Sequence, residues 1–126
     1  MGNSNKILII DDEAPIRRVV ALKLQKSGYP VITARNGEEG LRIIQDQKPA
    51  VVITDINMPK LDGKHLCEKT RALTEGGDIL IIILSGQISP DDNRWVKDMK
   101  NAEFMPKPFS PSRLLNRIEQ YFDVRE

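Results

Sequence analysis

The stretch AVVITDINMP, residues 50–59, constrains this chain more than any other. A β-branched, apolar run that stops at the carboxylate of Asp55 and passes into a Pro-bounded loop reads as a buried strand delivering an acid to one edge of a sheet. In open α/β sheets the carboxyl-terminal edge is where ligands bind and chemistry happens. A single strand-end Asp can equally be a turn former, so its weight depends on how the other strands end.

They end in polar residues as well. Residues 6–10 are an apolar, β-branched run too short for a helix, which predicts a central strand buried on both faces, and they lead into Asp11-Asp12-Glu13. The aliphatic run 79–84 ends in Ser85-Gly86, and a brief strand at 103–106 ends in Lys107-Pro108. A short strand at 29–34, carrying Val31 and Ile32, makes five.

Helical patterns fill the intervals. After Pro15, tolerated in a first turn, Ile16, Val19, Val20 and Leu24 recur at helical spacing until Ser27-Gly28. Asn36-Gly37-Glu38-Glu39 suits the cap and first turn of a helix running through Leu41 and Ile44 and ending before Pro49. Gly63 opens a helix carrying Leu66, Cys67, Thr70 and Leu73, closed by Gly76-Gly77. Ser89-Pro90-Asp91-Asp92 caps a short polar helix with Trp95, Val96 and Met99 on one side, and Ser110-Pro111 starts a last one with Leu114, Leu115, Ile118, Tyr121 and Phe122 facing in. Five strands alternating with five helices predict an α/β fold with a parallel sheet covered on both faces, because each crossover is right-handed. The strongly apolar strands ending at Ile10 and Leu84 then flank the Asp55 strand, and their carboxyl ends converge.

Length and charge narrow the functions available. A chain of 126 residues fits one domain, expected over residues 6–123 with a lead-in at 1–5 and a tail at 124–126. With 19 basic and 18 acidic residues the formal charge is +1, without the electrostatic footprint of a dedicated nucleic-acid or membrane-surface binder. One cysteine, Cys67, permits neither an intrachain disulfide nor a zinc cluster, which suits a reducing, cytoplasmic compartment. The amino terminus lacks an apolar signal core, and no apolar run approaches the roughly 18 residues that would span a bilayer.

Convergence would place Asp11, Asp12 and Asp55 at one edge. Like charges about 4 Å apart repel by roughly 4 kcal/mol at an effective dielectric near 20, so the cluster calls for a counter-charge. Hard carboxylate oxygens, a carbonyl and waters suit octahedral Mg²⁺. Lys107 supplies a fixed cation opposite, Ser85 a hydroxyl and Gly86 an approachable N–H. Together these groups can hold the three equatorial oxygens of a transferring phosphoryl group, with Asp55 as the nucleophile.

The set Asp11-Asp12-Glu13, Asp55 with Asn57-Met58-Pro59 and Gly63, Ser85-Gly86, and Lys107-Pro108-Phe109 resembles the response-regulator receiver domain of two-component signalling, over nearly the whole chain. The resemblance implies a flavodoxin-like, doubly wound sheet of order 2-1-3-4-5, the order for which a chemotaxis receiver is a standard example. It implies phosphoryl transfer onto Asp55 from a phosphohistidine of a histidine kinase or phosphotransfer protein, and self-catalysed loss of the phosphoryl group. By the same resemblance Asp12, Asp55 and the Asn57 backbone carbonyl contact Mg²⁺ directly, Asp11 acts largely through water, and the Lys107–Pro108 bond is cis. Ser85 and Phe104 form the switch, with Phe104 where many relatives carry Tyr, so the switch rests on packing without a hydroxyl. Asn57 and Gln87 flank the site where they tune hydrolysis. The face of the fourth helix, fifth strand and fifth helix meets a downstream target, an attached output domain or a second copy in a homodimer, and Trp95 is either an anchor there or core packing. No direct nucleic-acid or membrane contact is expected.

Other readings fit less well. A haloacid-dehalogenase-type phosphatase needs a second acid two residues past its nucleophile, where this chain has Asn57. A nucleotide-binding module needs a Gly-rich turn after the first strand, where this chain has Asp-Asp-Glu. The lone histidine, His65, cannot supply a kinase relay and reads as a solvated helix residue. The remaining alternative is a receiver-like interaction module that does not depend on phosphorylation. The sequence leaves open a free-standing protein or one piece of a longer regulator.

Overall fold

The computed structural model describes residues 5–58, 60–73, 79–86 and 89–125. Five strands, β1 (Ile7–Ile10), β2 (Val31–Ala34), β3 (Val51–Asp55), β4 (Leu80–Ser85) and β5 (Ala102–Pro106), alternate with helices α1 (Ala14–Lys26), α2 (Gly37–Gln47), α3 (Gly63–Leu73), α4 (Pro90–Asp98) and α5 (Pro111–Arg125). Every ladder is parallel and the order is β2-β1-β3-β4-β5. This is the doubly wound α/β fold expected.

Two apolar layers follow from the two-residue period of strands. Ile7, Ile9, Val51, Ile53, Leu80, Ile82 and Leu84 pack on one face against Val20 and Leu24 of α1 and Leu114 and Ile118 of α5. Leu8, Ile10, Val52, Ile81 and Ile83 pack on the other against Ile44 of α2, Leu66 and Cys67 of α3 and Val96 of α4. Each fully buried aliphatic side chain contributes about 1.5–3 kcal/mol, so β1, β3 and β4 form the stable centre. The edge strands β2 and β5 are mostly half-buried, because each has a neighbour on one flank only.

The helices start where the sequence marks them. Asn36 Oδ1 accepts from the Glu39 N–H at 2.9 Å and Ser89 Oγ from the Asp92 N–H at 3.0 Å, satisfying amide groups that helix starts leave unpaired. Thr70, a polar residue in the α3 interior, is buried with its hydroxyl donating to the Leu66 carbonyl at 2.7 Å.

Several expectations need correction. Val19 and Leu73, read as inward, are 52% and 50% exposed. A helix lying on a sheet buries one stripe, and in α1 that stripe runs through Val20 and Leu24 with Ile16 beside it. The strand starts move by one or two residues, while the ends at Ile10, Ala34, Asp55 and Pro106 fall as expected and β4 ends one residue later, at Ser85. α5 continues through Arg125, because Asp123-Val124-Arg125 contains no helix breaker. The Gly76-Gly77 stop and Gln87 lie outside the described residues. Trp95 is half-buried against the second layer, with its indole N–H donating to Asp92 Oδ1 at 2.9 Å. His65 is exposed, its Nδ1 2.8 Å from Asp62 Oδ1.

Register is what assembles the functional edge. Ile10 pairs with Thr54, Asp55 with Leu84 and Ser85 with Pro106. Asp11 and Asp55 therefore leave the sheet at the same level, with Ser85 one residue and Lys107 two residues further along.

Candidate functional site

Lys107 reaches into the acidic edge and touches three carboxylates. Its Nζ lies 2.9 Å from Asp55 Oδ2, 3.4 Å from Asp11 Oδ2 and 3.7 Å from Glu13 Oε1. The main chain behind it is held by the Lys107 N–H donating to the Ser85 carbonyl at 2.8 Å, which extends the β4–β5 pairing. The Lys107–Pro108 bond is cis, as expected.

The acids differ in setting. Asp11 is fully buried with Oδ1 accepting the Glu13 N–H at 2.9 Å, whereas Asp12 and Glu13 are exposed. The Asp55 side chain is 13% exposed, and its Oδ1 accepts the Asn57 N–H at 3.2 Å. One oxygen from each of Asp11, Asp12, Glu13 and Asp55 falls within 4.8 Å of all the others. That all-carboxylate donor set, hard and too densely anionic for one ammonium to neutralise, fits a divalent cation such as Mg²⁺.

The loop after Asp55 is pinned from beneath. The Gly63 N–H donates to the Ile56 carbonyl at 2.9 Å, and a β-carbon on Gly63 would stand 2.7 Å from the Asp55 carbonyl oxygen and 2.8 Å from Ile56 Cα. Only glycine permits so close an approach. Thr54 adds a bond from its buried hydroxyl to the Asp55 carbonyl at 2.9 Å. The nucleophile candidate thus sits on a rigid element rather than a loose turn.

Ser85 is buried at the end of β4, and the next residue, Gly86, is exposed with open space where a side chain would be. Phe104 is half-buried against the layer holding Ile81, Ile83 and Val96. The structure thus brings Asp11, Asp12, Asp55 and Lys107 together, with Asn57 touching Asp55 through its N–H, and sets Phe104 two strands away on β5. Glu13 joins the cluster although it carried no site role in the sequence reading; its place directly after two acids was the available signal. Arg17, whose guanidinium donates to the Asp11 carbonyl at 2.6 Å, was missed altogether.

Electrostatics follow from burial and contact. Burial raises the Asp11 carboxyl above its ordinary value, against the Glu13 N–H and the Lys107 charge, with the Asp55 charge adding to the rise. Burial alone would lower Lys107, but the hydrogen bonds and charges of Asp55 and Asp11 outweigh it and raise the ammonium. Lys107 accordingly stabilises the fold below its ordinary 10.5 and ceases to do so only as pH rises through the raised value. Asp11, also raised, has the same sense in a more acidic window. Between 3.8 and its raised value the folded chain holds more protons than the unfolded one, so stability falls as pH rises. Asp11→Asn is therefore expected to raise the melting temperature of metal-free protein at neutral pH, with the gain disappearing below pH 3.8. Paired thermal melts across pH check this; equal melting temperatures at neutral pH would refute it. Burial pushes the Cys67 thiol up to about 12, which leaves no thiolate nucleophile at neutral pH.

Comparison with known proteins matches this arrangement. The family model described as the response regulator receiver domain matches residues 7–119. The probable transcriptional regulator ycf27 of Porphyra purpurea is 42% identical over 117 residues, 93% of this chain and 47% of that protein. The alkaline phosphatase synthesis transcriptional regulatory protein PhoP of Bacillus subtilis is 34% identical over 116 residues, 92% of this chain and 48% of that protein. The chain thus spans about half the length of the curated relatives it matches. Among solved structures, the chemotaxis response regulator CheY4 of Vibrio cholerae superposes with a TM-score of 0.84 at 31% identity, covering 94% of this chain and 99% of that one. Among the described residues no helix is long and apolar enough to cross a membrane.

Proposed function

This chain belongs to the response-regulator receiver domain family of two-component systems, and on that premise we propose that Asp55 is its phosphoacceptor and residues 6–123 its receiver unit. The observation that carries the reading is the Asp55 carboxylate held 2.9 Å from the Lys107 ammonium at the mouth of a four-carboxylate cluster. An Asp55 oxygen attacks the phosphorus of a phosphohistidine on a histidine kinase or phosphotransfer protein, the P–N bond breaks, and an aspartyl phosphate forms. Lys107 balances charge on the phosphoryl oxygens, and the Ser85 hydroxyl and Gly86 N–H contribute donors.

Asp11, Asp12 and Asp55, with the Asn57 carbonyl, would hold Mg²⁺, which when bound supplies countercharge to the phosphoryl group. Glu13 is a further oxygen donor within reach. The domain on this reading promotes its own phosphorylation and dephosphorylation and is no conventional turnover enzyme.

Readout runs from Ser85 to Phe104 and the α4–β5–α5 face. Phe104 supports this path because it packs on the core and also lines a surface groove with Glu103, Arg113 and Arg117. Arg117 closes one wall by a two-pronged pair with Glu103 at 2.6–2.9 Å. That face would meet a target, a second copy or an attached output domain. The curated relatives named transcriptional regulators extend well beyond the matched region, and a transcriptional output in a longer cytoplasmic regulator is the corresponding proposal for this chain.

The test is incubation with a small acyl-phosphate donor, with and without Mg²⁺, followed by intact mass. A gain of one phosphoryl group that requires Mg²⁺ is expected. No gain under saturating donor and metal would reject the reading.

A further inference from the structure

We propose that Arg17 is a positioning residue for the acidic pocket, holding the β1–α1 turn so that the turn's carboxylates present to a divalent cation while Arg17 itself touches none of them. The inference rests on the pocket taking Mg²⁺, as proposed above.

Arg17 grips the turn at two points. Its main-chain N–H donates to the Glu13 carbonyl at 3.2 Å, and its guanidinium Nη1 donates to the Asp11 carbonyl at 2.6 Å. The second bond is short, half-buried and charge-assisted, the stronger kind. One α1 residue therefore bonds the carbonyls on either side of Asp12 and uses no oxygen of the carboxylates that Asp11, Asp12 and Glu13 turn to the pocket.

The turn needs such a hold. Glu13, at the N-cap of α1, makes no side-chain capping bond, so the helix start does not secure itself. Three consecutive acids there repel one another, and Lys107 reaches only Asp11 and Glu13 of the three. Other ties on the turn include the Glu13 N–H to Asp11 Oδ1 at 2.9 Å, the Lys107 contacts to Asp11 and Glu13, the Asp11 N–H to the Ala34 carbonyl at 3.2 Å and the Ile16 N–H to the Glu13 carbonyl at 3.1 Å. The first two use carboxylate oxygens that a cation would compete for, and the last two are main-chain bonds. The Arg17 guanidinium adds a side-chain hold on the Asp11 carbonyl that uses no carboxylate oxygen.

Charge and position make opposite predictions, which gives the test its sign. A cation near the pocket repels Mg²⁺, so if Arg17 acted only through its charge, R17M would bind Mg²⁺ more tightly. As a positioning residue its loss weakens Mg²⁺ by about tenfold, the lower end of the range for groups that orient metal ligands. The experiment titrates Mg²⁺ into wild type, R17M and R17K, following the amide resonances of Asp12, Glu13 and Asn57, and measures phosphorylation by an acyl-phosphate donor at saturating Mg²⁺. Expected are the weakened affinity in R17M, recovery of most of it in R17K, whose ammonium can donate to the same carbonyl, and rates at saturating Mg²⁺ within about twofold of wild type for both. An R17M affinity equal to or tighter than wild type overturns the inference, as does a lost rate with unchanged affinity. If wild type itself shows no saturable Mg²⁺ response, the reading of the pocket fails along with it, a result distinct from failure in R17M alone.

Discussion

Asp55→Asn is expected to abolish phosphoryl uptake from an acyl-phosphate donor, a loss of at least about 10³-fold given what removal of a nucleophile costs in well-studied enzymes. The amide oxygen is a poor nucleophile and cannot form an acyl phosphate, yet the side chain keeps its shape and can still accept the Asn57 N–H. The fold should survive, because Asp55 lies at the end of β3 and the residues that bury β3 are Val51, Val52 and Ile53. Removing one charge from a crowded anionic cluster relieves repulsion, so the melting temperature of metal-free protein should not fall. Intact mass after incubation decides the matter: an Asp55→Asn protein that gained a phosphoryl group as fast as wild type would move the acceptor elsewhere.

Lys107→Met is the second large effect. The ammonium sits within 4 Å of three carboxylates and 2.9 Å from the Asp55 oxygen, where charge on an incoming phosphoryl group would need balancing. Loss of one such stabilising donor lowers rates by about 10²–10³-fold, and that is the expected fall in phosphorylation at saturating donor and Mg²⁺. Affinity for Mg²⁺ should move the other way, since a cation competing for Asp11 and Asp55 has been removed. Rapid-quench measurement of the rate beside a Mg²⁺ titration separates the two. A rate within tenfold of wild type would show that Lys107 is there only to neutralise the pocket.

Much of the architecture was legible locally. The strands β1, β3 and β4 declared themselves as unbroken aliphatic runs, because a parallel strand covered on both faces has no polar side to show. Asn36 and Ser89 announced helix starts because their side chains are short enough to bond an amide three residues on. The edge strands were harder: β2 and β5 bury less, so their pattern is diluted. Val19 and Leu73 show the limit of periodicity, which says that a helix has an apolar side and not how wide a stripe its neighbour will cover.

The sequence by itself determined that acids, a hydroxyl and a lysine stand at the ends of successive strands, because strand termini are written in the switch from apolar to polar residues. Tertiary structure alone brought the acids and the lysine into contact. The Lys107 contacts to Asp11 and Asp55 span 96 and 52 residues, and they exist because the parallel register sets those strand ends level. It also decided that Glu13 joins the cluster, which its place after two acids only hinted at, and it made the Arg17 bond to the Asp11 carbonyl, which no pattern foretold. Such contacts depend on where long side chains reach across a packed turn, and chain order does not encode reach.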